Sequence, residues 1–102
     1  MREFEIYVPL HYNDGSPIES DKLIALRQRL FDYFGGLTDT RQQNAGAWKV
    51  GNVAFHDEIV IFRVLAVKQH PARAFLMALK AELERELRQQ EILIVERKVE
   101  VL

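Results

Sequence analysis

Apolar and polar residues alternate from Glu3 to Leu10, with Phe4, Ile6, Val8 and Leu10 on one side and Glu3, Glu5 and Tyr7 on the other. A period of two is the mark of a β-strand with one buried face. The turn residues HYNDGSP end it, and Ser16-Pro17-Ile18-Glu19 has the form of a capping box with proline in the first helical turn, which predicts a helix from about Pro17. Leu23, Leu26, Leu30 and Phe34, widened by Ile24 and Phe31, make its apolar stripe, while Lys22, Arg27, Gln28, Arg29 and Asp32 face water. Gly35 is placed to close the helix in the left-handed conformation, and Gly36 to permit a further bend.

The next stretch breaks the regularity. Phe34 to Trp48, FGGLTDTRQQNAGAW, holds three Gly, a run of amides and the single Trp of the chain. It reads as a long loop over 35–46 between the first helix and the second strand. Two strands follow, Ala47–Phe55 and Glu58–Lys68, with His56-Asp57-Glu58 as the turn between them; Gly51-Asn52 is the alternative, as a tighter hairpin or as a bulge. EIVIFRVLAVK is apolar on both sides and rich in β-branched residues, as suits a central strand. Pro71 can open a second helix striped by Ala72, Phe75, Leu76, Leu79, Leu83 and Leu87, and ILIVERKVEVL supplies a last strand whose apolar side is broken by Arg97. The order strand, helix, strand, strand, helix, strand over residues 1–102 predicts one α+β domain. It is a ferredoxin-like βαββαβ sandwich with four antiparallel strands, two helices on one face, and the first and third strands central.

Composition narrows the function classes. With 48% hydrophobic and 28% charged residues and a formal charge of -1, the chain has no long-range attraction for nucleic acid or an anionic membrane. It has no Cys, and its three scattered His lack zinc spacing, so a disulfide scaffold, a thiol nucleophile and a metal site are not expected; nor is a cofactor. MREFEIYVPL lacks the apolar run of a secretory signal, and no segment approaches the roughly 18 apolar residues of a membrane span, so the default location is cytoplasmic.

Phe34-Gly35-Gly36-Leu37-Thr38, Gly46-Ala47-Trp48 and the turn Phe55-His56-Asp57-Glu58 together resemble an uncharacterised family of small bacterial proteins of about one hundred residues. The resemblance covers roughly residues 4 to 67. It implies a ferredoxin-like fold and hands over no catalytic residue.

A doubly apolar third strand under one helical layer leaves a sheet face that needs cover. That face would carry Val60, Phe62 and Val64, or else Ile59, Ile61, Leu65 and Val67, and a second copy is the simplest cover, so a homodimer is expected. Two function classes follow. One is a dimeric binding or protein-interaction module. The other is a small dimeric enzyme acting on a small anionic or aromatic substrate in a cleft near Arg41, Trp48 and Arg63, with Tyr7, His11 and His56 as further candidate ligand-binding residues. Arg63 carries the sharpest anomaly, a guanidinium inside an apolar strand. It must be paired or reach solvent along its stem, with Glu5, Glu96 or Glu100 on a neighbouring strand, a partner's carboxylate or an anionic ligand as the candidates. No nucleophile-base-orienter set is visible, and Phe62 and Tyr7 lack the surrounding basic residues of an RNA-stacking sheet.

Overall fold

The computed structural model describes the backbone of residues 1–50 and 53–102, and their side chains except 43–48, 50 and 53–57. The elements are β1 (Arg2–Pro9), α1 (Ser20–Phe34), β2 (Thr38–Val50), β3 (Val53–Ala66), α2 (Gln69–Glu86) and β4 (Leu93–Lys98). The strands form one antiparallel sheet in the order β2-β3-β1-β4, with both helices on one face. This is the ferredoxin-like arrangement that the periodicities predict, with β1 and β3 central.

The core lies between that face and the helices. Phe4 pairs with Val64, Ile6 with Phe62 and Val8 with Val60, so these six side chains form adjacent rows. Leu26 and Leu30 of α1 and Ala72, Leu76, Leu79 and Leu83 of α2 close over them. Burial of each of the larger aliphatic or aromatic side chains contributes about 1.5–3 kcal/mol. Gly35 ends α1 with φ 80, its N–H donating to the Phe31 carbonyl at 2.8 Å, as a left-handed cap should.

This register corrects the expected interface. Val60, Phe62 and Val64 are buried beneath the helices, and the other side of β3 carries Ile59, Ile61, Arg63 and Leu65. A strand apolar on both sides has no alternation with which to choose a face. Its pairing with the alternating strand β1 chooses for it.

Two further expectations are replaced. The segment 35–46 is not a long loop: from Thr38 the chain is strand, paired with β3 from Thr38↔Arg63 to Val50↔Val53, with a register shift between Gln43 and Ala47. His56 to Glu58 is not a turn but the interior of β3, opposite Ala47 and Gln43. The Gly51-Asn52 alternative falls outside the described residues. β2 is an edge strand, held by main-chain hydrogen bonds along one side, and Thr38, Asp39, Thr40 and Arg41 are all exposed. An edge strand need not bury a face, so it shows no apolar alternation.

The capping box is also not formed. Ser16 gives its N–H (2.9 Å) and its hydroxyl (2.5 Å) to Asp14 Oδ1, closing a turn at Gly15 with φ 89. Pro17 bridges to His11, Ile18 enters the core, and α1 begins only at Ser20. The short hairpin prevails over an earlier helix start because it buries Ile18 and satisfies the Tyr12 and Ile18 N–H groups on the Ser16 and Leu10 carbonyls.

Candidate functional site

The sheet places the predicted residues on opposite faces. Arg41 lies opposite Val60 and shares the helix-side face, whereas Arg63 lies opposite Thr38 and Glu5 on the open face. A single cleft bordered by both is therefore excluded. The side chains of Trp48 and His56 fall outside the described residues.

On the helix side, a groove of ≈ 210 Å³ opens where α1 overhangs the edge of the sheet. Leu10, Val60 and Phe62 form its floor, Leu23 and Ile24 its wall, and Ser20, Arg27, Asp39 and Arg41 its polar rim. The helical spacing that points Leu23 inward puts Ser20, Ile24 and Arg27 along the same edge of α1. Asp39 and Arg41 come from alternate positions of β2, which set them on one face. Arg27 Nε donates to Asp39 Oδ2 at 2.8 Å, tying α1 to β2. Arg27 is thereby neutralised, and Arg41 makes no ion pair with a described residue, so the rim carries a surplus of one positive charge.

The open face holds a different assembly. Glu5 is only 4% exposed, and Arg63 donates to its Oε2 through Nη2 at 2.7 Å and Nε at 3.2 Å. Arg97 of β4 donates to the other oxygen, Oε1. Glu3 lies near both, 3.8 Å from Arg63 Nε and 3.5 Å from Arg97 Nε. Of the partners foreseen for Arg63, Glu5 is the one realised, and it also explains the interruption by Arg97: two guanidinia from neighbouring strands hold one buried carboxylate. Beside them Tyr7 and Leu93 pack on Ile59 and Ile61. Burial, and then the charge of Glu5, push the Tyr7 hydroxyl above its ordinary pKa, so it stays protonated at neutral pH. His11, in its bridge with Pro17, lines neither assembly, and its Nδ1 is buried without a hydrogen-bond partner among the described residues.

The sequence does not point to Ser20 and Arg27 as site residues, and it offers Asp39 only as one of the polar residues from Thr38 to Asn44 that could line a pocket mouth or equally a solvated loop. Arg27 carried a signal only as one charge on an exposed helix face, and Asp39 sat in a segment read as loop. Their meeting depends on how α1 crosses β2, which no local pattern encodes. Among the described residues no group of three His, Asp or Glu is arranged to hold a metal ion, and no helix is long and apolar enough to cross a membrane.

No family model matches the chain, and no curated protein matches it. Among solved structures the chain is similar to a phage SAM lyase in complex with S-methyl-5'-thioadenosine, with a TM-score of 0.69 and 12% sequence identity over 95% of this chain and 80% of that one. At that identity the likeness is one of fold.

Proposed function

We propose that this protein binds a small aromatic or anionic molecule in the groove between α1 and the β2–β3 edge, as the binding step of a small ferredoxin-like enzyme. The observation that carries the reading is Arg41, a guanidinium without an ionic partner among the described residues, standing at the rim of an apolar floor made by Leu10, Val60 and Phe62. A planar ring fits such a floor, and a carboxylate or phosphate pairs with such a guanidinium through two parallel hydrogen bonds. The structural neighbour supports this reading over that of a pure protein-interaction module. It is a SAM lyase holding S-methyl-5'-thioadenosine, so this architecture accommodates a small molecule with an aromatic base.

Amide chemical shifts followed during titration with S-methyl-5'-thioadenosine, SAM and an aromatic carboxylate test the proposal. At least one probe should shift Leu23, Ile24, Arg27 and Arg41 together. For a carboxylate-bearing probe, Arg41→Gln should weaken binding about tenfold, the loss expected for one charge-assisted contact of about 1.4 kcal/mol. Absence of shifts with all three probes, or shifts confined to other surfaces, would overturn it.

A further inference from the structure

β2 lies at the end of the sheet, and among the described residues nothing pairs with its outer side. Such an edge presents a row of main-chain donors and acceptors that fits another strand. Thr38, Asp39, Thr40 and Arg41 along it are all exposed. In the layer above, Ser20, Ile24, Arg27 and Phe31 fall at helical spacing along one side of α1. The first three line the groove with Asp39 and Arg41, so this side of the helix overhangs the same edge. Ile24 is 66% exposed and Phe31 50%. Two apolar side chains thus stand at the surface beside an unpaired strand.

The charges on β2 identify the occupant. A two-fold axis normal to the sheet lays β2 antiparallel to its own copy and keeps the helices of both copies on one side, so directly opposed residues share a face. Centred on Thr40, this pairing sets Asp39 opposite Arg41 of the other copy, Arg41 opposite its Asp39, and Thr40 opposite its own mate. Opposed charges and paired threonines each stabilise neighbouring strands. Centred on Asp39 or on Arg41, the pairing would set like charges against each other. β4, the other edge, lacks the match: Arg97 stands between Glu96 and Lys98 and would meet itself, and Glu96 is already held by Arg2, Arg73 and Gln69. We infer that a second copy of this chain pairs with β2 edge to edge, which joins the two sheets into one and brings the Ile24 and Phe31 side of each α1 toward that of the other. Asp39 then lies between Arg27 of its own chain and Arg41 of the other. One carboxylate for two guanidinia leaves each groove its surplus positive charge, and the contact needs no ligand there.

Sedimentation equilibrium of the full chain at micromolar concentration tests the inference. The expected result is a dimer, twice the 11.9 kDa of one chain. Asp39→Arg and Arg41→Asp should each raise its dissociation constant by about tenfold or more, because each alone opposes like charges twice across the axis. Mixed in equal amounts, the two variants should recover dimers with one chain of each kind, since every opposed pair is again of opposite sign. Neither misfolding of a variant nor loss of a ligand contact produces that recovery. Ile24→Asp should also weaken the dimer, whereas Leu65→Asp, on the open face of the sheet, should leave it intact. All of these positions are exposed in one protomer, so far-ultraviolet circular dichroism should show each variant folded. A chain of 11.9 kDa at every concentration, an assembly other than a dimer, a dimer that both charge variants leave unchanged, or a mixture without recovery would overturn the inference.

Discussion

The two sides of β3 are built from similar residues and have different fates. Val60, Phe62 and Val64 lie in a core shared with both helices, whereas Ile59 and Ile61 form a small cluster with Tyr7 and Leu93 that gives way to the Glu5–Arg63–Arg97 assembly. On the first side, stability comes from apolar packing. On the second, half of the same strand is held by a buried carboxylate between two guanidinia, an arrangement whose desolvation cost offsets much of its Coulombic gain. The comparison separates a face held by apolar packing from one where charges are tolerated because packing is already secured on the opposite face.

The largest expected effect tests the packed side. Phe62→Ala should destabilise the chain by about 4 kcal/mol in urea unfolding, and Ile61→Ala, one residue along and on the other face, by about 2 kcal/mol. Equal losses would remove the distinction between the two clusters, and a larger loss at Ile61 would reverse the assignment of faces.

A smaller effect tests the charged side. Glu5→Gln leaves Arg63 and Arg97 without their shared carboxylate, but both guanidinia are partly exposed and can rehydrate. The cost should therefore fall below the range for a fully buried pair, at about 2 kcal/mol by the same measurement. A neutral or stabilising outcome would show that the assembly contributes nothing to the stability of the fold.

The smallest effect contrasts the buried Glu5 with an exposed carboxylate. The Tyr12 hydroxyl donates to Glu19, and this bond, with a backbone hydrogen bond and then Lys22, pulls the Glu19 pKa down to about 2 from an ordinary 4.5. A carboxyl depressed in the folded state adds stability that is fully present above 4.5 and is lost as pH falls toward about 2. Carboxyl carbon shifts in an acid titration should show Glu19 becoming protonated only as pH falls toward about 2, and Tyr12→Phe should return its pKa toward 4.5. No upward movement in that variant would assign the depression to the backbone and Lys22.

Much of the fold was legible because burial imposes a period. The stripes of α1 and α2 and the alternation in β1 are each local, and together they imply one sheet with one helical layer. β2 was illegible for a physical reason. An edge strand is held by its backbone, so Thr38 to Gln43 reads as a polar loop although its pairing is that of a sheet. The start of α1 misled because Ser16, which can cap a helix, bonds equally well to Asp14 in a turn. Of the candidate site, Arg41 and the anomaly at Arg63 were visible, but their separation onto opposite faces was not.

The sequence by itself determined the order of elements, the layer count, the buried side of β1, a left-handed glycine cap at Gly35 or its neighbour Gly36, and the need of Arg63 for a counter-charge or a path to solvent. Each follows from interactions within a few residues or from the cost of burying a charge alone. Tertiary structure decided which face of β3 meets the helices, that Arg97 joins Arg63 on Glu5, and that Arg27 and Asp39 close one end of a groove beside Arg41. Those outcomes depend on register and on how α1 crosses β2, where residues distant in the chain are brought to within about 3 Å, a distance set by the geometry of hydrogen bonding across elements and written in no local pattern.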